Sequence, residues 1–455
     1  MTNHEHAGRQ IIDGVIWKQL LIFFFPILLG TFFQQFYNTI DAIVVGRFVG
    51  KEALASVGGS AGQIINLVVG FFTGLTAGAG VIISQFYGAR DAKGLNDSLH
   101  TAYAFSLVGS VLMTILGIWL SPMMLEMMNT PQELLAESTV YMRIYFGGIV
   151  FVFIYNIGAS ILRALGDSKR PLYYLVICCL LNIVLDLVMV LVFGLGVKGV
   201  AIATVIAQAV SAVLITRALM KSTDIYKLDL RKIRFHGQVL RSQLYIGLPG
   251  GFQSTMYSLS NILIQAAINA YGTDTTAAWA AYGKLDAIFW MVSSAFGVSI
   301  TTFVGQNYGA GKYDRIKKSV RICLGMDFVV SVLLTLFLMF FRIPLFRIFT
   351  TDAEVIRIGS RMLELITPCY VIFIFIEVLS GALRGVSDVI IPMLLTLFGV
   401  CLLRIAWILF IVPIRPSIET LLFNYPLTWV LTSILFISYY LYKKRRLGPP
   451  KVIQD

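Results

Sequence analysis

Charge is what this sequence has least of. Only 13% of residues are Asp, Glu, Lys or Arg, 57% are hydrophobic, and the mean hydropathy is +0.81. A soluble domain carries about a quarter charged residues, so a soluble globular chain is excluded. Cysteine is also sparse. Cys178, Cys179, Cys323, Cys369 and Cys401 form no CxxC pair and are odd in number, which argues against a disulfide framework or a zinc cluster. His4, His6, His100 and His236 are too scattered to suggest a haem or metal site. No small-residue cleavage site follows the first apolar run, which is too long for a secretory signal. It reads as a membrane helix.

What the chain has in abundance is apolar runs. A spanning helix needs roughly 20 such residues. Twelve segments qualify: about 18–46, 55–86, 98–120, 138–162, 170–193, 198–219, 242–268, 278–306, 319–341, 357–383, 389–412 and 419–442. The expectation is an all-α membrane protein of twelve transmembrane helices. With both termini cytoplasmic, 25 of the 36 Lys and Arg fall on the inner side and 10 on the outer, with Arg404 inside a span. That bias is the positive-inside rule. It accounts for the net charge of +12 and for the basic clusters at 221–234, 312–318 and 443–446 without any nucleic acid.

An internal repeat organises these spans. SQFYGA (84–89) recurs as GQNYGA (305–310), and LRALGDSKRP (162–171) recurs as LRGVSDVIIP (383–392), both at a shift of 221. Two matches at one shift imply two six-helix lobes. The expected organisation is 1–220, a cytoplasmic linker 221–241, and 242–455. An even number of helices per lobe makes the repeats parallel, related by a pseudo-two-fold axis along the membrane normal. Secondary transporters built this way hold substrate between the halves near the midplane. The repeated turns themselves read as structural: a glycine cap after the YGA helix end, and Asp167 and Asp388 capping the helix that follows.

The differences between the halves carry more information. At a shift of 223 the first helices align Pro26 with Pro249, Asn38 with Asn261, Gln34 with Tyr257, and Asp41 with Ile264. At 221, Asn182 and Asp186 of helix 5 meet Leu403 and Trp407. Asn182 and Asp186 are four apart and share a helix face. Thr204 stands in helix 6. An acid at membrane depth costs at least about 2.5 kcal/mol and is a functional hypothesis by default. Asp41, Asn182, Asp186 and Thr204 offer only hard oxygen and amide groups, suited to Na⁺ or to a proton shared between carboxylates. Pro26 is expected to break helix 1 and act as its hinge. Gln34, Tyr37, Asn38, Tyr257, Asn261 and mid-span Glu377 are candidates for the substrate cleft. Asp286 lies two residues from Lys284, which suggests a structural pair.

The two six-helix halves, the QxYGA-type turns, the LRxxxD…P turns, and Asp41 with Asn182, Asp186 and Thr204 together resemble the MATE family of multidrug and toxin extruders. The resemblance covers essentially the whole chain. It implies an inner-membrane antiporter, not an enzyme, that exports amphipathic, often cationic, small molecules in exchange for Na⁺ or H⁺. It also implies no cofactor, contact with membrane lipids and a monomeric state. Some members place acids in helices 7 and 10 of the second lobe; helix 7 here has none, which favours the first lobe as the ion site. The nearest rival is a flippase for lipid-linked saccharides or peptidoglycan precursors, which would want basic residues in its cavity. An intramembrane aspartyl protease using Asp41 and Asp186 would want a GxGD motif, and the chain has none.

Overall fold

The computed structural model describes residues 11–222 and 225–447. His4, His6, two residues of the 221–241 segment and the end of the C-terminal tail lie outside the described residues.

All regular secondary structure described is helical. The membrane-length elements are α1 (Ile16–Val49), α2 (Lys51–Ala89), α3 (Ala92–Met127), α4 (Gln132–Gly147 and Ile149–Ala164, bent by 48°), α5 (Lys169–Val192) and α6 (Gly196–Met220). The second half supplies α7 (Gly237–Asn269), α8 (Thr273–Gly309), α9 (Tyr313–Phe340), α10 (Ala353–Gly385), α11 (Ile390–Ile411) and α12 (Ile418–Lys444). Ten of these are apolar enough to cross a membrane alone, and α4 makes an eleventh as a bent pair. The remaining expected span, α7, is a continuous 33-residue helix. It is long enough at 1.5 Å per residue, but Gln253, Ser254, Ser258, Ser260 and Asn261 make it more polar than the rest.

The described chain forms two compact units. Residues 22–251, with 11–13, make one; residues 252–447, with 14–21, make the other. The division falls within α7, downstream of the 221–241 segment. In the first unit α5 packs on α6, α3 on α4, and α2 and α6 on α4. The basic segment after α6 is tied to the start of α3, where Asn96 Nδ2 donates to the Ile225 carbonyl at 2.9 Å and the Asp229 N–H donates to His100 Nε2 at 3.1 Å. In the second unit α8 packs on α10, and α10 on α9 and α12.

The repeat is written into the hydrogen bonds. Thr114 Oγ1 donates to the Phe146 carbonyl at 2.9 Å, and Thr335 Oγ1 donates to the Thr367 carbonyl at 3.0 Å. The Asp167 N–H donates to the Leu162 carbonyl, and the Asp388 N–H to the Leu383 carbonyl, both at 2.9 Å. Each pair of bonds is related by the shift of 221.

Three local expectations change. α1 runs through Pro26 as an unbroken helix over Ile16–Val44, so the expected break is not there. The proline is carried within the helix, whose irregularity falls instead at a π segment, Val45–Val49. After α8 the expected glycine is there, Gly311 (φ 70°), but after α2 the same left-handed position, one repeat away, is held by Arg90 (φ 58°); in each turn the αL residue follows the last helical turn. Asp167 does cap α5, accepting from the Lys169 and Arg170 N–H groups at 3.0 and 3.1 Å. Asp388 does not cap its helix. Its Oδ2 is taken by Tyr439 Oη at 2.7 Å and Lys443 Nζ at 2.8 Å of α12.

Candidate ion site and the acids of the second unit

Asp41 sits one turn before the π segment of α1. Asp186 sits two residues before the π segment of α5, Val188–Val192. π segments frequently mark functional sites. Asn182 and Asp186 are buried, at 2% and 0% exposure. The carboxyl groups of Asp41 and Asp186 lie within hydrogen-bonding reach of each other. Two ionised carboxylates cannot bond, since neither carries a donor. In that state Asp41 Oδ1, both Asp186 oxygens and both polar atoms of the Asn182 amide have no hydrogen-bond partner. Thr204 donates its hydroxyl to the Val200 carbonyl at 2.9 Å, which leaves its oxygen lone pairs able to accept or ligate.

Uncompensated charge at this depth is expensive. A proton shared between the two carboxyl groups would supply the donor that the ionised pair lacks. All the groups are hard donors, so a soft metal does not fit.

Two tyrosines that no sequence motif marks lie close by. Tyr141 and Tyr145, one turn apart on α4 with ring centroids 6.4 Å apart, stand with Tyr37 beside the acids. Tyr37 is within electrostatic reach of Tyr145, Asp41 and Tyr141, and Tyr141 is within reach of both aspartates. The only signal was tyrosines at helical spacing in an apolar helix, a pattern more often core. Tyr37 is thus buried at the carboxyl cluster, whereas Gln34 and Asn38 are exposed on α1.

The acids of the second unit are arranged differently. Asp286 on α8 makes no ion pair with Lys284, which is exposed. Its Oδ1 accepts from Tyr370 and, at 3.1 Å, from Tyr282, while Oδ2 accepts from Trp290 Nε1 at 2.7 Å. Three donors satisfy this carboxylate, so it is a structural knot between α8 and α10. The buried Arg404 guanidinium stacks on Tyr425, 4.3 Å from the ring centroid. Glu377 on α10 lies against Gly297 of α8 and within electrostatic reach of Tyr257 and Asp327. Asn261 is exposed on α7. Asp327, fully buried in α9, stands outside the sequence expectations. Ser331 Oγ lies 3.3 Å from its Oδ1, and its Oδ2 has no partner. Its signal was present in LGMDFVVSVLL, an acid in an apolar run of the same kind as Asp41.

A family model described as MatE matches residues 26–188 and 249–409. The two matches start 223 residues apart and end 221 apart, the shifts read from the sequence. The probable multidrug resistance protein YoeA of Bacillus subtilis is 26% identical over 443 residues, covering 95% of each chain. The probable multidrug resistance protein NorM of Thermotoga maritima is 25% identical over 402 residues, covering 86% of this chain and 84% of the relative. Among solved structures, an outward-facing multidrug resistance MATE family transporter of the MOP superfamily superposes with a TM-score of 0.90 at 22% identity, over 97% of this chain and 98% of that one. A MOP superfamily transporter from Pyrococcus furiosus gives the same values.

Proposed function

Since the chain belongs to the MatE family of multidrug efflux transporters, whose members are not enzymes, we propose that it is an antiporter exporting amphipathic cationic small molecules in exchange for Na⁺ or H⁺. The observation that carries this reading is the set of unpartnered oxygens at Asp41, Asn182 and Asp186 in the first unit. Such a cluster is strained when empty and ionised, and it is relieved by a proton, by Na⁺ or by the cationic group of a substrate. Occupants that exclude one another at one site give exchange.

In this reading Asp41 and Asp186 carry the charge, Asn182 and Thr204 complete the oxygen set, and Tyr37 and Tyr141 wall it. Gln34, Asn38, Tyr257, Asn261 and Glu377 are the residues proposed to meet substrate. Pro26, with no N–H of its own, is the proposed place where α1 yields. The termini are proposed to be cytoplasmic, on the charge bias described above.

The test is reconstitution in liposomes with a Na⁺ gradient or a pH gradient imposed separately, following a cationic fluorescent dye. Dye movement driven by one gradient and abolished by Asp41→Asn is expected. Movement in the absence of both gradients, or full exchange by the variant, would refute the reading.

A further inference from the structure

Outer loops of membrane proteins are poor in basic residues, yet four of the ten outer Lys and Arg gather in one place. Arg342, Arg347, Arg357 and Arg361 line a cavity of about 690 Å³ in the second unit, between the end of α9 and the start of α10. Glu419, which opens α12, also lines it, so the cavity lies at the end of that helix away from the chain's C-terminus.

The ion pairs leave positive charge over. Arg342 Nε and Arg361 Nη1 share one carboxylate, Glu364, at 3.3 and 3.1 Å. Arg357 is held by Glu354 in a two-pronged pair at 2.6 and 2.9 Å, with Glu419 also in electrostatic reach. Arg347 forms no ion pair among the described residues. The cavity lining thus carries four arginines against two carboxylates, Glu364 and Glu419, and with Glu354 counted beside Arg357 one positive charge is left over. Ser360 lines the same cavity, is 8% exposed, and its hydroxyl has no partner.

Ile343 of the lining is exposed at 42%, and Phe340, Ile348 and Phe349, next to these arginines in sequence, are exposed at 79%, 73% and 48%. Arginines interleaved with exposed aliphatic and aromatic side chains over 340–349 form an interfacial pattern, with apolar parts in the acyl region and cations at the phosphates.

The repeat provides a control. The Thr114–Phe146 and Thr335–Thr367 bonds fix the shift of 221 on both sides of this loop. At that shift the four arginines become Ser121, Glu126, Ala136 and Val140. The shared fold is built in the first half without them, so the arginines serve something other than the scaffold.

We propose that this cavity binds the phosphate of an anionic phospholipid from the leaflet opposite the chain termini, with Arg342, Arg347 and Arg361 on the phosphate, Ser360 as a further donor, and the exposed apolar side chains against the acyl chains. In the orientation proposed above this is the outer leaflet, but the site itself stands apart from the antiport reading.

Native mass spectrometry of the full-length protein in detergent, titrated with phosphatidylglycerol, tests it. Each arginine is expected to contribute about five-fold to affinity, so Arg347→Gln with Arg361→Gln weakens one lipid site by about 25-fold. Ser360→Val is expected to weaken the same site, and Arg143→Gln, a basic residue of the first-half outer surface, leaves it unchanged. Unchanged binding in the double variant overturns the site. Displacement of the lipid by inorganic phosphate at equal concentration overturns the lipid assignment, because the cavity would then take a free anion. Dye exchange measured on the same variants separates this outcome from failure of the antiporter reading.

Discussion

The Glu377 carboxylate of α10 rests directly on Gly297 of α8, where a Cβ would overlap it, and one turn on a Cβ at Gly381 would stand 2.7 Å from the Gly297 carbonyl oxygen. The two helices cross at bare backbone, and an acid fills the space that a side chain would take.

Gly297→Ala is therefore expected to lower thermal stability in detergent by an overpacking cost of about 1–3 kcal/mol. Removing the acid should recover part of that loss, so Gly297→Ala with Glu377→Ala should be more stable than the sum of the single changes. Strict additivity in the double-mutant cycle would show that the two residues do not meet.

Neutralising either member of the first-unit pair should separate stability from function. Asp41→Asn and Asp186→Asn each remove one of two facing carboxylates that lack a countercharge. Each should raise the melting temperature in ion-free buffer while abolishing gradient-driven exchange, a trade seen where a site is strained for function. A lower melting temperature for both would mean that the pair stabilises the unit and is not strained.

Asp286 predicts the opposite pattern. Its three donors make it a packing element, so Tyr370→Phe should cost about 1.5–3 kcal/mol, the range for a hydrogen bond to a charged group. Exchange by the residual folded protein should keep its ion dependence. A changed ion preference in Tyr370→Phe would place Asp286 in the coupling machinery.

The αL caps give a small, clean test. Arg90 bears a side chain at φ 58° where its repeat partner is Gly311. Arg90→Gly is expected to stabilise by about 1 kcal/mol and Gly311→Ala to destabilise by a similar amount. Equal and opposite shifts in melting temperature would confirm that the two turns are equivalent.

Much of this was legible in the chain because hydropathy and repetition are strong signals. All twelve expected spans correspond to helices, since a bilayer demands long apolar elements and little else mimics them. Asp41, Asn182 and Asp186 stood out because their repeat partners are Ile264, Leu403 and Trp407. Tyr141 and Tyr145 did not, because a tyrosine in an apolar helix has many uses and only the fold shows which groups it faces. Adjacency in sequence suggests that Lys284 pairs with Asp286, but residues two apart on a helix point to different faces. The proline of α1 misled in another way. A proline removes one hydrogen bond, and whether the helix then breaks depends on what packs around it.

The π segments that follow Asp41 and Asp186 have one more consequence. Each is a turn of helix carrying a surplus residue, so the groove between its coils is wider and one residue sits out of register with the regular ladder. Deleting a single residue within Val45–Val49 would restore the ordinary ladder and rotate everything beyond it by about a quarter turn relative to Asp41. A surplus residue of this kind sets the bearing of one helix end against the other without any change in the loops. Among the described residues of the first unit, the acids of α1 and α5 stand beside the two places where a helix carries that surplus residue.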